Sequence, residues 1–167
     1  SLRYFNAAGA DPFSLIGEAH NPETHLIPNI INSILFNKND LKIFGNKYNT
    51  KDGTCVRDYI HVNDLAEAHL KCFEFFSQSS GFSTFNLGNG QGFSVIDIVK
   101  SCEKISKQNI TYSISPPREG DPSILVCDNK KALDLLKLKL TYSTIDSIIE
   151  TAWRWHNTDR ALNFYNF

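Results

Sequence analysis

At residues 52–65 the chain reads DGTCVRDYIHVNDL, and this segment combines a turn, a strand and the start of a helix. Its opening Asp-Gly pair favours a turn, because glycine adopts positive φ without steric cost. Residues 59–62 are rich in β-branched and aromatic side chains, which favours a strand. Asn63 is placed to cap a helix that continues over residues 64–76. The segment therefore predicts a strand that passes directly into a helix.

Arg57 precedes this strand, where its planar guanidinium is suited to bridging the oxygens of a phosphate. A surface ion pair with Asp58 is the alternative explanation, and such pairs contribute little to stability. Two further arginines, Arg3 and Arg118, stand near Asn and Asp residues of predicted loops. The three arginines together favour a surface that recognises a polyanion, with Arg118 held in place by two preceding prolines.

Outward from this segment, short strands alternate with helices, which is the pattern of an α/β fold. Residues 6–10 and 11–25 are expected to be loops, and Trp153 and Trp155 to be part of the core. The predicted strands cover residues 2–5, 42–44, 59–62, 84–88, 110–114 and 124–126. The predicted helices cover 26–36, 64–76, a segment capped by Ser94, 129–137 capped by Asp128, and 145–156.

Two stretches resemble ligand sites without meeting the requirements for one. The loop over 11–25 holds Glu18, His20, Glu23 and His25, but their spacing fits no helix face, so a solvated loop is favoured and no metal site is predicted. Residues 89–92 form a glycine-rich turn before a helix, but they lack the spacing of a dinucleotide-binding fingerprint. We interpret them as an ordinary strand-to-helix turn.

Composition excludes several classes of function. The 167 residues are 41% hydrophobic and 21% charged, as in a globular domain, and the net charge of −1 gives no basic field for nucleic acid. The sequence contains no apolar run of the ~20 residues that span a bilayer, and its start does not resemble a signal peptide. Its four scattered cysteines lack a CxxC pair, which favours reduced thiols and a cytoplasmic location. The immediate strand after Ser1 predicts that the chain is the downstream part of a larger protein.

The motifs of the whole chain, taken together, resemble the UDP-glucose 4-epimerases of the extended short-chain dehydrogenase/reductase class. The order and spacing of the motifs match the family, and the set is specific although each motif alone is not. The matching motifs are LRYFNAAGA at 2–10, ETHLIP at 23–28, IFG at 43–45, DGTCVRDYIHV at 52–62, NLG at 86–88 and REGD at 118–121.

The resemblance implies an enzyme of galactose and nucleotide-sugar metabolism with two parts. An N-terminal Rossmann domain binds NAD, and a smaller C-terminal region closes over a UDP-sugar. The bound NAD oxidises the sugar at C4 and returns the hydride to the other face, so that UDP-glucose and UDP-galactose interconvert. In the family the base is the Tyr of a Tyr-x-x-x-Lys motif.

Neither the glycine fingerprint nor Tyr-x-x-x-Lys occurs in these 167 residues, since Tyr142 is followed by Asp146 where the Lys would stand. We therefore expect residues 1–167 to form a single C-terminal UDP-sugar-binding region. It would carry the last strands of the Rossmann sheet, while most of that sheet and the N-terminal NAD-binding domain would be absent. No catalytic residue is predicted, and the chain alone is expected to be inactive. The resemblance also implies that full-length enzymes are homodimers built mostly through helices of the missing domain, so we do not expect this chain alone to dimerise.

The resemblance also assigns binding residues by their positions in the motifs. Asn6, Arg57 and Arg118 should contact the diphosphate, and Asp121 the ribose. His25, which replaces an Asn of many relatives, and Leu26 should line the sugar nucleotide, while Lys42, Ile43 and Phe44 should flank the uracil. Val95 and Leu125 complete the substrate residues, and Tyr4 and Phe5 should lie beside the nicotinamide end of NAD.

Leu125 stands where some relatives carry a bulky Tyr beside the sugar, which leads to the hypothesis that UDP-GlcNAc is also accepted. Two other functions stay open at this point. The first is a non-catalytic UDP-sugar-binding module, such as the remnant of a truncated gene. The second is part of another nucleotide-sugar epimerase, dehydratase or decarboxylase. The Asp-Gly-Thr-Cys-Val-Arg-Asp-Tyr run favours the 4-epimerases.

Overall fold

The structure, a computed structural model, describes residues 1–165, and short strands alternate with helices along this part of the chain, which confirms the α/β class. The strands are β1 (Leu2–Tyr4), β2 (Asn6–Ala8), β3 (Lys42–Phe44), β4 (Val56–His61), β5 (Phe85–Leu87), β6 (Gly92–Ser94), β7 (Ser113–Ser115) and β8 (Ile124–Leu125). The helices are α1 (Leu26–Leu35), α2 (Val62–Ser77), α3 (Val95–Ser106), α4 (Lys130–Leu135), α5 (Ile145–His156) and α6 (Asp159–Tyr165).

Strand β4, which lies within residues 52–65, organises the largest sheet. Its second half pairs in parallel with β2, and its first half pairs antiparallel with β6 and parallel with β8. Two parallel strand pairs, β1 with β5 and β3 with β7, lie outside this sheet. Residues that follow or flank β4 are therefore close to several separate parts of the chain.

Successive residues of β4 face opposite hydrophobic layers, as the pleat of a strand requires. Tyr59 packs into a core formed with helices α1, α3 and α5, whereas Ile60 packs with residues of α2, α4 and β5. Both side chains are buried, and Ile60 is fully so. The strand is thus covered by helices on both faces, as expected for a parallel sheet in an α/β protein. Trp155 is buried, as predicted, in a small cluster with Ala10 and Ala161.

Several element boundaries differ from the prediction. Residues 6–8 form strand β2, although a loop is expected there. The small side chains give no strand signal, but parallel pairing with β4 supplies the backbone hydrogen bonds of a strand. Helix α2 begins at Val62 and is capped by His61, not by Asn63, since the Asn63 amide donates to Nδ1 of His61 at 3.0 Å.

Further differences concern weak patterns. The strand predicted over 110–114 is found only at 113–115, because Ile110 instead enters the core. Asn129 rather than Asp128 stands at the N-cap of α4, although Asp128 still accepts from the Lys130 amide at 3.2 Å. The sequence patterns predict neither strand β6 nor helix α6.

The buried carboxylate of Asp58 joins β4 to two distant loops. It is 1% exposed and accepts hydrogen bonds from three backbone amides, those of Asn89 (2.7 Å), Gly90 (2.8 Å) and Cys127 (3.0 Å). Asp58 therefore does not form a surface ion pair with Arg57, the alternative that the sequence left open. Asp58 instead fixes the strand beneath Arg57.

Asp64 serves the same purpose at the start of α2. Its buried carboxylate accepts from the amides of Thr141 and Tyr142, each at 2.9 Å, and from the Ser143 hydroxyl at 2.6 Å. Asp58 and Asp64, the two buried aspartates of the segment, are therefore hydrogen-bonded inside the protein, as buried charges must be. Separately, none of the helices within residues 1–165 combines the length and apolar character needed to cross a membrane.

Candidate functional site

A cleft of about 820 Å³ opens beside β4 and gathers residues from six separate segments of the chain. These segments are the β1–β2 junction, the loop and helix start around residues 18–29, strand β3, strand β4, the start of α3, and the loop after β7. A concave site built from several segments is the usual form of a small-molecule site. The cleft is therefore the candidate functional site.

Most of the site residues predicted from the sequence line this cleft. They come together although they are spread over more than a hundred residues of sequence. They are Phe5, Asn6, His25, Leu26, Lys42, Ile43, Phe44, Arg57, Val95, Arg118 and Asp121. The Ile43 side chain, at 1% exposure, belongs mainly to the core behind the cleft.

Three residues singled out from the sequence lie outside the cleft lining. Tyr4 is half exposed, and its hydroxyl lies 2.8 Å from Nε2 of His69 on helix α2. Leu125 lies in β8 beside Arg57 in register, and it is also half exposed. Arg3 contacts Thr84 at 3.4 Å and lines a different hollow, so the proposed surface of three arginines is wrong in that member. The binding roles given to Tyr4 and Leu125 stay predictions.

Arg57 points into the cleft from β4 and is held there by two contacts. Its guanidinium donates to the carbonyl of Val56 at 2.7 Å and to the carboxylate of Asp121 at 2.5 Å. The side chain is only 13% exposed, so the charge is partly removed from water and this pair is more than a loose surface contact. Arginine has five N–H donors, and these two contacts leave others for a ligand.

Arg118 lies over the ring of Phe44, with its guanidinium carbon 4.3 Å from the ring centroid. The pairing of Phe44 with Ser115 in the β3–β7 ladder places the loop after β7 above that ring. The loop then turns back, with the Asp121 amide donating to the Arg118 carbonyl at 3.3 Å. One turn thus carries both Arg118 and the partner of Arg57.

Tyr59 is a cleft residue that the sequence reasoning did not select. It lines the cleft two residues after Arg57, on the same face of β4, and it is opposite Asn6 in the β2–β4 register. Burial raises the pKa of Tyr59, although a side-chain hydrogen bond with Asn6 acts in the other direction, so the phenol stays protonated and can donate. The alternation of strand side chains was the signal that could have revealed it.

Cys55 also lines the cleft, but its environment does not activate it. Burial raises the pKa of its thiol, and the nearby Arg57 opposes this shift less strongly. Since the thiolate is the reactive form, this cysteine is not suited to act as a nucleophile near neutral pH.

At one end of the cleft, Glu18, His20, Glu23 and His25 form a group that we name the rim cluster. His25 contacts the Glu18 carboxylate through Nδ1, and this hydrogen bond is the main reason why the pKa of His25 is raised. Burial lowers the pKa of His25 to a smaller extent. The sequence prediction of a solvated loop did not anticipate that these four side chains converge.

The residues in the chain do not by themselves provide a complete site for the NAD that the resemblance implies. The sequence lacks the glycine-rich phosphate-binding turn of dinucleotide sites, and of the two residues assigned to NAD only Phe5 lines the cleft. No reaction step through NAD is therefore derived for this chain. The cleft residues can bind and orient a polar, anionic ligand.

Comparison with known proteins identifies relatives along nearly the whole chain. The UDP-glucose 4-epimerase of Lacticaseibacillus casei is 47% identical over 156 residues, which are 93% of this chain and 47% of that protein. The structure of UDP-glucose-4-epimerase from Stenotrophomonas maltophila with bound NAD and formylated UDP-arabinopyranose matches with a TM-score of 0.90 and 36% identity. That match covers 97% of this chain and 47% of the other.

A second solved structure gives the same result. UDP-glucose 4-epimerase from Bifidobacterium longum in complex with NAD+ and UDP matches with a TM-score of 0.88 and 34% identity, over 96% of this chain and 48% of the other. The chain thus spans about half the length of the curated relatives it matches. A model described as the NAD dependent epimerase/dehydratase family matches residues 1–88, which is more than half of the 167 residues. The chain therefore belongs to the NAD dependent epimerase/dehydratase family.

Proposed function

We propose that residues 1–167 form the UDP-sugar-binding region of a UDP-glucose 4-epimerase, an NAD-dependent isomerase that interconverts UDP-glucose and UDP-galactose. The observation that carries this proposal is the meeting of Arg57 and Arg118 in one cleft with the aromatic ring of Phe44. A nucleoside diphosphate needs cations for its phosphates and an apolar surface for its base, and the cleft offers both side by side. The names of the relatives indicate which nucleoside diphosphate is bound, namely a UDP-sugar.

Each cleft residue has a role in binding within this proposal. Arg57 and Arg118 neutralise the diphosphate, and Asn6 and Tyr59, adjacent across the β2–β4 register, donate hydrogen bonds to it. Asp121 orients Arg57 and accepts from ribose hydroxyls with its remaining lone pairs. The other predicted residues of the cleft lining contact the base and the sugar in this proposal; they are His25, Leu26, Lys42, Ile43, Phe44 and Val95. Leu125, which lies outside that lining, is assigned to the sugar from its motif position. Tyr4 and Phe5 complete the proposed set on the NAD side.

Because the sequence contains neither the glycine fingerprint nor Tyr-x-x-x-Lys, we propose that residues 1–167 bind UDP-sugars without converting them. A second candidate function follows from the same observation, namely a binding module that acts without catalysis.

A location in the cytoplasm agrees with the four buried, reduced cysteines. A net charge of −1 gives no support for a nucleic-acid partner.

Calorimetric titration of the purified chain with UDP tests the proposal. We expect saturable binding that falls about tenfold or more in Arg57→Ala and in Arg118→Ala, because each loses a hydrogen-bonded charge on the diphosphate. Arg154→Ala is the matched control, since Arg154 is exposed on α5 away from the cleft, and it should bind UDP like the original chain. Equal affinity in all three variants, with far-UV spectra showing intact folds, would refute the proposed site.

The same titration extends to the sugar. With UDP-GlcNAc in place of UDP, comparable affinity would support the hypothesis that Leu125 leaves room for an N-acetyl group. Binding of UDP-glucose together with rejection of UDP-GlcNAc would refute it.

Adding NAD and UDP-galactose to the chain should give no turnover, and measurable turnover would show that the chain is more than a binding region.

A further inference from the structure

The rim cluster brings four potential metal ligands together, although the sequence does not predict it. Glu18, His20, Glu23 and His25 each offer one ligand atom, and these atoms all lie within 4.8 Å of one another. Their sequence spacing fits no helix face. The four side chains converge because the loop folds back on itself, and not because they share one face of a helix.

The distances within the rim cluster suit donors that surround a single ion. Nδ1 of His20 lies 3.1 Å from Oε1 of Glu18 and 3.8 Å from Oε1 of Glu23. Nδ1 of His25 lies 3.9 Å from Oε1 of Glu23 and contacts Oε1 of Glu18. Ligands bonded at 2.0–2.2 Å in a tetrahedron lie about 3.4 Å from each other. Because Nδ1 of His25 is hydrogen-bonded directly to Glu18, the exposed imidazole of His25 must move away from that carboxylate to reach this geometry.

The two carboxylates are fixed by further hydrogen bonds, as metal ligands commonly are. Oε1 of Glu23 accepts from the amides of Thr24 (2.8 Å) and His25 (2.9 Å), and Oε2 accepts from the Tyr165 hydroxyl at 3.1 Å. The backbone carbonyl of Glu18 accepts from the indole N–H of Trp155 at 2.8 Å. The loop is thus anchored to α5 and α6, so its ligands do not depend on the loop alone.

Exposure within the cluster shows which side is open. The side chains of Glu23 and Glu18 are 7% and 19% exposed, whereas those of His20 and His25 are 51% and 56% exposed. The carboxylates therefore form the inner wall and the imidazoles the outer one. The side of the cluster that is open to solvent is therefore the one formed by the two imidazoles, whose ring centroids lie 4.9 Å apart.

We propose that Glu18, His20, Glu23 and His25 bind one divalent transition-metal ion, with Zn²⁺ as the best match. Two carboxylates and two neutral imidazoles carry a charge of −2, which a divalent ion balances. Two nitrogen donors favour Zn²⁺ or Co²⁺ over Mg²⁺ and Ca²⁺, which prefer oxygen ligands. Because His25 and both glutamates also line the cleft, the ion lies at its rim and neutralises two carboxylates beside it.

Calorimetric titration of the chelator-treated chain with ZnCl₂, in the absence of any nucleotide, tests this proposal. We expect one ion per chain and affinity that falls at least about tenfold in His20→Asn, in His25→Asn and in Glu23→Gln. His69→Asn is the matched control, since His69 is exposed on α2 outside the cluster and its replacement should leave Zn²⁺ binding unchanged. MgCl₂ should give no saturable heat at the same concentrations.

Visible absorption of the Co²⁺-loaded chain provides a second readout. We expect d–d bands of a four-coordinate ion without the near-ultraviolet charge-transfer band of a thiolate, because the four cysteines are buried. Absence of saturable Zn²⁺ binding would overturn the proposal, as would binding that survives in the His20→Asn/His25→Asn double variant with its fold intact. A thiolate band would also overturn it. None of these readouts depends on UDP, so the proposed function can fail while the metal site stands, and the reverse.

Discussion

At the scale of single residues, Asp58 determines more of the cleft than its position beside Arg57 suggests. One carboxylate receives three backbone N–H groups, from the turn after β5 and from the segment after β8. Hydrogen bonds to a charged acceptor are stronger than those between neutral groups. Asp58 thereby holds β4 in the place from which Arg57 reaches the ligand.

Replacement of this residue should therefore be costly. Asp58→Asn keeps the shape but removes the charge and turns an NH₂ group toward backbone amides, which leaves buried donors without acceptors. We expect the free energy of unfolding to fall by about 2–3 kcal/mol in urea titrations. Asp134→Asn, on the exposed side of α4, should change it by less than about 0.5 kcal/mol. Similar losses in the two variants would contradict the role given to Asp58.

The residues of the cleft could be predicted from the sequence better than their contacts. The motif positions were enough to assign Asn6, Arg57 and Arg118 to one binding site, and all three line the cleft. No linear pattern shows, however, that Arg57 pairs with Asp121, which is 64 residues away in the sequence. The convergence of the rim cluster was missed for the same reason. A loop without helix or strand period carries no signal of which of its side chains meet.

At the scale of elements, the junction between β4 and α2 depends on the ionisation state of His61. Thr151 donates its hydroxyl to helix carbonyls, so Nε2 of His61 donates to Thr151 Oγ1 at 2.9 Å. Nδ1 is then the acceptor that caps α2 through the Asn63 amide. A second proton on the ring would occupy this acceptor position and remove the cap.

This arrangement makes the stability of the fold depend on pH. Burial lowers the pKa of His61, and Asp64 opposes this less strongly, so the unfolded chain binds the proton more readily than the folded one. The stabilisation is present above the ordinary histidine pKa of about 6.5 and is lost as the pH falls below it. We expect the free energy of unfolding to decrease from about pH 7.5 to about pH 5.5 in urea titrations.

The variant His61→Asn separates this effect from others, since an asparagine oxygen can still cap the helix. The variant should be less stable at neutral pH but should show a weaker dependence on pH. Part of the dependence should remain, because burial also lowers the pKa of His156. An unchanged slope in His61→Asn, together with a changed slope in the exposed control His69→Asn, would refute the assignment.

Elements with strong local signals were predicted well, and those that depend on partners were not. Helix α1 and strand β3 were found at or within one residue of their predicted bounds, because each has a clear apolar period or a β-branched core. Strand β2, by contrast, consists of Asn-Ala-Ala, and only its pairing with β4 makes it a strand. Its existence is a property of the tertiary structure.

At the scale of the whole molecule, one face of α2 leaves large apolar side chains in contact with solvent. Leu70 is 62% exposed and Phe73 80% exposed, and residues three apart are neighbours on a helix. Contiguous exposed apolar surface favours association between molecules. This face should therefore limit the solubility of the chain.

Replacing both side chains should improve solubility without affecting the fold. We expect Leu70→Gln/Phe73→Gln to raise the concentration at which light scattering begins, while the free energy of unfolding changes by less than about 0.5 kcal/mol. Phe82→Gln is the control, because Phe82 is 81% exposed but lies in a loop apart from this face. Equal improvement in the control would mean that any exposed aromatic has the same effect.

The parallel pairing of β1 with β5 has a consequence for the time course of synthesis. The backbone carbonyl of Ser83 accepts from the amino group of Ser1, 82 residues earlier, and the strand ladder follows from that point. A ribosome adds about 5–20 residues per second, so β1 waits roughly 4–16 s before β5 exists. During that interval the backbone hydrogen-bonding groups of β1 that face β5 are without the partner strand seen in the folded structure. Strand β1 is thus exposed to mispairing until residues 85–87 have been synthesised, and the cleft beside it cannot be complete before then.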